Sequence, residues 1–412
     1  MKLLIVAKPI LNNNSEIMFY CFRYQQSREY LNDHPARMLD FVVSLPCLTV
    51  LEEVGLNGFT NGHPLFVPIN QYSLLSDLSL QCSQSPEKIV FLLDEQTPPE
   101  NMYIECINKL KDKGFRFAIE NVSDYEFIQP IVSLCDYILI SFYNGRDGLS
   151  EFKKVSAIYK NSIFIASNVN DKPTFERIRF SGFSGFEGKF YRLAATKGGN
   201  TIAPVKVNRI QLINLVKEMN FSTEEVVKIV SRDPSLSISL IKLVNSPHHG
   251  LSQKIKSIPQ AVALLGQTEV RKWVITAMTG LLADDKPSEI TRVSLMRAKF
   301  AENLAPLFQM EKQAQELFLM GLFSILDAVL EMSMYAALKI VSVSDPIQEA
   351  LIYIDGEYAP VYRFILSYET ADWTETKRLI TINNIEVEDV YKAYLDAVQW
   401  YDMIASMEID AN

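Results

Sequence analysis

A chain of 412 residues is long for a single hydrophobic core and predicts two domains. With 48% hydrophobic and 22% charged residues, its composition is that of an ordinary globular protein and excludes an intrinsically disordered chain. The net charge of -9 argues against a nucleic-acid partner, because binding phosphate draws on surplus lysine and arginine.

The cysteines and the apolar runs indicate the compartment. All 5 cysteines lie in the first third of the chain, without a Cys-x-x-Cys pair: Cys21, Cys47, Cys82, Cys106 and Cys135. An odd, dispersed set is typical of free thiols in a reducing cytosol. The N-terminal apolar run, Met1–Ala7, is too short for a signal-peptide core, and no later segment reaches a membrane-spanning length. We therefore expect a cytoplasmic protein without membrane insertion.

The first half alternates short apolar runs with helical patterns such as Pro99–Gly114. Such alternation predicts a parallel sheet covered by helices. The number of units favours a closed, TIM-like βα barrel, although only seven strands are evident. These runs are Lys2–Ala7, Pro64–Ile69, Lys88–Leu93, Phe115–Ile119, Asp136–Ser141, Ser162–Ser167 and Gly182–Glu187.

The pattern changes after Leu193. Residues 194–204 contain adjacent glycines and end in a proline, which predicts a linker. We therefore place a barrel domain in residues 1–198 and a helical domain in residues 199–412.

Helix boundaries are legible in the second half. Ser222 opens a capping box, and Asp233 fits an N-cap followed by proline at the first helical position. A further helix opens at Ser257, and Gly266 stands where that helix would end.

Two strand regions of the first half carry motifs. Phe115–Val122 reads Phe-Arg-Phe-Ala-Ile-Glu-Asn-Val, and Cys135–Phe142 reads Cys-Asp-Tyr-Ile-Leu-Ile-Ser-Phe. The pair resembles the EAL phosphodiesterases, which hydrolyse cyclic di-GMP and show a Gly-Tyr-x-x-Ala-Leu-Asp-Asp-Phe strand followed by Ile-Lys-Ile-Asp. Where that family has its Asp-Asp pair and its Lys and Asp, this chain has Glu120, Asn121, Leu139 and Ser141.

The resemblance covers roughly the whole first half, with few of the family's functional residues retained. Val6–Ile10 keeps the proline of the opening Ala-Arg-Gln-Pro-Ile motif, and Phe19–Cys21 stands at the Glu-Ala-Leu motif without its glutamate. The metal-binding asparagine on the second strand of the family aligns with Pro68, and because Asn70 lies nearby, a one-residue slip on that strand is an alternative. The matched pocket positions are Phe19, Pro68, Leu92, Glu120, Asn121, Leu139, Ser141, Asn170 and Glu187.

The resemblance implies a metal-dependent reaction that these residues do not support. Divalent cations need several carboxylate or carbonyl oxygens converging on one point. Among the matched pocket positions, leaving aside Glu187 at the closing Gln-Gly motif, only Glu120 is anionic. We predict no catalysis, no metal and no cofactor. The hydrolase alternative would need Asp94 and Glu95 to enter the site.

A second alternative is a cyclic di-GMP receptor, since degenerate members of the family can still bind the ligand. The family's motif glutamate and N-terminal arginine are both absent here. Lys8 and Arg23 are the remaining cations for phosphate, and we expect both to be solvated surface charges. We likewise expect Glu120 and Asn121 to be an exposed polar strand end.

The second half carries Asp-Pro, Val-Asn-Ser, Ser-Ile-x-x-Ala and Leu-Gly elements at set intervals between residues 233 and 266. This combination resembles HDOD domains, non-catalytic relatives of the HD phosphohydrolases. The metal-binding His-Asp pair of those enzymes reads Ser324-Ile325 here. The matched motif positions are Asp233, Asn245, Ser246, Gly266, Ser324 and Asp327.

Histidines and tryptophans add no second site. The 4 histidines are His34, His63, His248 and His249. The adjacent pair follows Asn-Ser-Pro and predicts a turn, since neighbouring side chains diverge on a helix or strand. We expect Asp327 to be structural. The tryptophans, Trp273, Trp373 and Trp400, fit core packing, with an anchor for a partner as the alternative.

Together these features are similar to EAL–HDOD two-domain proteins. That resemblance implies a non-enzymatic bacterial signalling protein that acts in motility, pilus function or biofilm formation through protein partners. A homodimer formed through the barrel is a further implication.

Overall fold

The protein is described by a computed structural model. It describes residues 3–26, 45–142, 148–192, 215–216, 221–231, 240–241, 243–244, 255, 257–282, 288–341 and 343–409. The expectations for Asp233, Asn245, Ser246, His34, His248, His249 and the linker of residues 194–204 lie outside these residues.

The N-terminal part is a closed barrel in which the strands follow one another in chain order. The strands are β1 Leu3–Leu11, β2 Ile17–Gln26, β3 Leu65–Pro68, β4 Ile89–Asp94, β5 Arg116–Glu120, β6 Tyr137–Ser141, β7 Ile163–Ser167 and β8 Gly185–Glu187. The barrel expected from the sequence is confirmed, with eight strands in place of the seven that were evident.

The strand that the sequence did not show is β2, which forms a hairpin with β1. These two strands pair antiparallel from Leu3↔Gln26 onward, whereas β2 to β8 are parallel. A tight turn joins them: the Asn12 N–H donates to the Glu16 carbonyl at 2.8 Å, and the Asn12 side chain accepts from the Asn14 and Glu16 N–H groups. The expected parallel sheet is therefore wrong for β1, because so short a link permits only an antiparallel pair.

Helices cover the barrel between strands. They are α1 Pro46–Val54, α2 Leu56–Thr60, α3 Gln71–Leu74, α4 Leu78–Gln81, α5 Asn101–Asp112, α6 Gln129–Val132, α7 Gly148–Ile158 and α8 Lys172–Ile178. The α5 helix shows why such segments form: its buried residues, Tyr103, Ile107 and Leu110, recur at helical spacing on one face.

The described residues of the C-terminal part form helices joined by short turns and loops. Its helices are α9 Thr223–Val230, α10 Ile258–Leu282, α11 Ser288–Leu304, α12 Ala314–Phe323, α13 Leu326–Leu330, α14 Met334–Val341, α15 Asp345–Tyr353, α16 Ala359–Glu369, α17 Trp373–Ile382 and α18 Val387–Ile409. None of the described helices is both long enough and apolar enough to cross a lipid bilayer.

Two expected helix signals are confirmed. The Ser222 side chain accepts from the Glu225 N–H at 3.3 Å and caps α9. Gly266 adopts φ 72° and interrupts the helical backbone of α10, so regular helix stops there before resuming. The tryptophans pack: Trp273 is buried, Trp400 meets Phe318 edge-on and Trp373 meets Tyr368 edge-on.

The contacts divide the chain into two compact units. One combines Met1–Leu193 with Phe364–Leu395, and the other combines Ala194–Arg363 with Asp396–Asn412. The domain boundary at residue 198 stays a prediction. The first unit also contains Phe364–Leu395, which the predicted boundary places in the helical domain.

Candidate functional site at the mouth of the barrel

Strands β2 to β8 all end at the same edge of the barrel, here called the mouth. Because the strands are parallel, the side chains at their ends converge there. Asp94 ends β4, Glu120 ends β5, Ser141 ends β6 and Glu187 ends β8. The mouth is therefore the place to test the predicted pocket.

Three of the matched pocket positions fill the barrel interior instead of lining a site. Phe19, Leu92 and Leu139 belong to one buried cluster with Phe66 and Tyr137. The ring of Phe19 lies 5.2 Å from that of Phe66 and 5.3 Å from that of Tyr137. Aromatic and aliphatic side chains at these positions supply packing and no oxygen ligands.

Arg23 spans the mouth and binds Glu120. Its guanidinium donates to both carboxylate oxygens, with Nη1–Oε1 at 2.5 Å and Nη2–Oε2 at 2.8 Å. The two side chains are only 20% and 14% exposed, so the expectations of a solvated Arg23 and an exposed Glu120 are wrong. Burial alone would lower the pKa of Arg23, but nearby anionic groups, including Glu120, outweigh it and raise that pKa.

A second ion pair joins Lys8 of β1 to Glu187 of β8. Glu187 is almost fully buried, and its carboxylate also accepts the backbone N–H of Asn168. Burial tends to raise the pKa of Glu187, but Lys8 and Arg23 outweigh it and hold that pKa below its ordinary value. Lys8 is 18% exposed, so its expected role as a solvated surface charge is also wrong.

Backbone packing fixes the position of Glu187. A Cβ added to Gly188 would lie 2.0 Å from the Val169 carbonyl oxygen, so only glycine fits after Glu187. The Val169 N–H also donates to the Glu187 carbonyl at 2.9 Å. The carboxylate is therefore held at the mouth by the close approach of β8 to the loop after β7.

The remaining polar groups near the mouth have local partners. The Asn70 side chain caps α3 by accepting from the Tyr72 and Ser73 N–H groups, at 2.9 and 2.8 Å. Glu95 accepts from the N–H and hydroxyl of Ser123 at 2.8 and 2.5 Å. Asp94 accepts the Gln96 N–H at 3.0 Å, and burial raises the pKa of its carboxyl. Asn70, Asp94 and Glu95 thus all bind groups close to them in the chain or on a neighbouring loop.

The last matched positions do not converge either. The Ser141 hydroxyl accepts from the Asn168 side chain at 2.9 Å. Asn121 takes a left-handed conformation with φ 57° and is exposed, as is Asn170. Pro68 ends β3 half-buried. Across the described residues, no three His, Cys, Asp or Glu side chains come together in a way that would hold a metal ion.

In the helical part, Ser324 takes part in a buried network with Arg297. The Ser324 hydroxyl donates to the Gly321 carbonyl at 2.6 Å and accepts from Arg297 Nη1 at 2.9 Å. Burial raises the pKa of Asp327, and Arg297 opposes that rise only in part. A Cβ at Gly321 would lie 2.3 Å from the Arg297 carbonyl oxygen, so α11 and α12 cross in close contact there.

Sequence reasoning identified the barrel mouth but assigned the wrong role to its two cations. Phe19, Cys21 and Arg23 alternate along β2, and the first two belong to the buried interior cluster. Recognition of β2 as a strand would therefore have placed Arg23 on the inner face. Its partner lies 97 residues away, which no local pattern indicates.

Comparison with known proteins identifies the helical part. Residues 202–341 match the HDOD domain model, so the chain carries an HDOD domain. The chain is 26% identical to the protein YuxH of Bacillus subtilis (strain 168) over 97% of this chain and 98% of that protein. It is 26% identical to the cyclic di-GMP phosphodiesterase CdgJ of Vibrio cholerae serotype O1 over 81% of this chain and 78% of that protein.

Among solved structures, an EAL domain protein from Listeria monocytogenes EGD-e is similar over 46% of this chain and 87% of that chain, with 14% identity and a TM-score of 0.37. The HDOD match confirms the HDOD domain expected in the helical part, and the similarity to CdgJ relates the chain to a cyclic di-GMP phosphodiesterase.

Proposed function

We propose that this chain is a non-catalytic signalling protein that acts through contacts with other proteins. The observation that carries the proposal is the state of the mouth, where Glu120 and Glu187 are each bound by a cation of the chain itself. Kinship with EAL–HDOD proteins points to regulation of motility, pilus function or biofilm formation as the process.

The residues at the mouth do not fit the divalent metals that an EAL-type hydrolase needs. Phe19, Leu92 and Leu139 have no donor atoms, and Glu120 is neutralised by Arg23. A divalent ion placed here would be repelled by Arg23 and Lys8, and burial raises the pKa of Asp94, the further carboxyl at the mouth. Activation of water by a metal is therefore not available to this chain.

The first test is hydrolysis. We expect the purified full chain to leave cyclic di-GMP and its linear dinucleotide product intact in magnesium or manganese, as measured by chromatography. We also expect a chelator to leave the melting temperature unchanged, since a metal that binds only the native state would stabilise it. Metal-dependent turnover that disappears in Glu120→Gln would overturn the proposal.

A cyclic di-GMP receptor remains the second candidate, because Arg23 and Lys8 lie at the mouth and CdgJ is named for this nucleotide. A phosphate would have to displace Glu120 from Arg23. We therefore expect no binding by calorimetry in the wild type. Tight binding that Arg23→Met abolishes would favour the receptor over the docking protein.

The proposed action through protein contacts also predicts which part of the chain binds the partners. Lys228 is exposed on α9 of the helical part, and Lys153 is exposed on α7 of the barrel. We expect charge reversals across exposed helical positions such as Lys228→Glu to reduce recovery of cellular partners, whereas Glu120→Gln leaves it intact. Loss of partners in Glu120→Gln, with Lys228→Glu and Lys153→Glu unaffected, would contradict this assignment.

The proposal includes a cytoplasmic location and pairing of two copies through the barrel. Light scattering of the full chain tests the pairing, and a monomer at micromolar concentration would refute that part alone.

A further inference from the structure

The β1 strand has an open edge at the mouth. It contains nine residues, but it pairs with β8 only at Ile10 and Leu11. The stretch Leu3–Pro9 therefore extends beyond the end of β8, and no described strand pairs with it on that side. An open, apolar strand edge is a template for pairing with another chain.

This edge is nevertheless buried. Leu3, Leu4 and Ile5 are at most 1% exposed. The Ile5 N–H, which points away from β2, donates to the Tyr368 hydroxyl oxygen at 3.3 Å. Tyr368 belongs to α16, and burial raises the pKa of its phenol well above the ordinary value. The hydroxyl thus stays protonated in contact with β1.

Phe364–Leu395, here called the rim segment, makes further contacts with the barrel. Arg192, which lies just after β8, donates from Nη1 to Glu369 Oε1 at 2.8 Å, and both side chains are largely buried. The Tyr391 hydroxyl donates to Glu53 of α1 at 3.1 Å. Within the segment, the Tyr368 ring packs against Tyr394 and Trp373, at 5.0 and 5.5 Å between ring centroids.

The rim segment lies outside the matched HDOD range and clusters with the barrel. The HDOD match ends at residue 341, and the contacts group Phe364–Leu395 with Met1–Leu193. This contact lies at the mouth, because Ile5 pairs with Tyr24 of β2 and the next residue, Val6, pairs with Arg23. The segment therefore contacts β1 at Ile5, one residue from Val6, which pairs with Arg23 of the mouth.

We infer that the rim segment is an intramolecular partner of the barrel that occupies the open edge of β1. While it is in place, no strand of another protein can extend the barrel there. Its docking also makes the stability of the mouth depend on residues near the C-terminus. The inference does not depend on whether the barrel is catalytic.

Hydrogen exchange of the full chain tests the inference. Tyr368→Phe removes the hydroxyl that accepts the Ile5 N–H and keeps the aromatic ring. Loss of one hydrogen bond of about 1 kcal/mol should speed exchange in residues 3–11 about fivefold. Tyr353→Phe is the matched control, because Tyr353 is 69% exposed on α15. Exchange in α11 should stay unchanged and exclude general destabilisation.

A charge swap supplies an independent test. Arg192→Glu should speed exchange in residues 364–382, and addition of Glu369→Arg should restore it by reforming the pair in reverse. Unchanged exchange in residues 3–11 in Tyr368→Phe would overturn the inference. Failure of the double variant to recover protection relative to Arg192→Glu would overturn it as well.

Discussion

The Arg23–Glu120 pair gives the sharpest test of whether the mouth is closed by an internal ion pair, because the two side chains can be removed separately or together. Arg23→Met and Glu120→Leu each leave the opposite charge in a largely buried position. The double variant replaces the pair by apolar side chains of similar length. A double-mutant cycle then isolates the interaction between the two side chains.

The structure sets the size of the expected effect. Breaking a fully buried ion pair costs about 3–5 kcal/mol, because the remaining charge is left without compensation. Water reaches part of this pair, since Arg23 is 20% and Glu120 14% exposed. We therefore expect each single variant to lose about 2–3 kcal/mol of unfolding free energy, and the double variant to lose less than about 1 kcal/mol.

The assay is urea unfolding of the full chain followed by circular dichroism, with hydrogen exchange of Ile17–Gln26 to report on the barrel itself. The control cycle uses Arg378 and Glu375, an exposed pair on α17. We expect the control pair to show no coupling beyond experimental error. A coupling energy below about 0.5 kcal/mol between Arg23 and Glu120 would refute the claim that Arg23 neutralises the mouth.

Three further predictions concern acidity and packing. The pKa of Glu187 is held below its ordinary value, so its pair with Lys8 stabilises the fold fully above about pH 4.5. As the pH falls further this stabilisation should be lost, and Lys8→Met should make the free energy of unfolding depend less on pH in that range. Burial raises the pKa of Asp327, so its ionisation, as pH rises above the ordinary range of an aspartate, costs the folded state stability. Asp327→Asn should therefore raise the melting temperature more at pH 7 than at pH 4, and a decrease at pH 7 would contradict this. Gly321→Ala should destabilise by about 1–3 kcal/mol in urea, because its Cβ would lie 2.3 Å from the Arg297 carbonyl oxygen; a neutral effect would refute the close helix crossing.

The frame of the barrel was predictable because its signals are local. Apolar runs, helical spacing and turn residues act over a few positions, and the parallel strands β3 to β8 appear within a few residues of their expected bounds. The hairpin of β1 and β2 also left a local sign, since the asparagines after Leu11 are turn residues. A turn that short requires antiparallel strands, which the reading of uniform alternation overlooked.

The charge pairing at the mouth was not predictable in the same way. Glu120 and Glu187 were both identified as polar strand ends, but their cations come from β1 and β2 only when the barrel closes. Whether an arginine is solvated or buried depends on that closure. The absence of a catalytic ligand set therefore stays a prediction from the sequence, while the ion pairs of Glu120 and Glu187 required the fold.

In both motif regions an arginine binds a residue at a position that the family resemblance matched to the functional site. In the barrel, Arg23 binds the remaining carboxylate, and in the helical part Arg297 binds the hydroxyl of Ser324. A guanidinium tethered to the backbone supplies positive charge and several donors without needing a free coordination position. It satisfies the buried polar groups that a missing metal would otherwise leave exposed to an apolar interior. Under the proposed function these arginines therefore take the place of a metal, and the chelator measurement on the full chain tests that role.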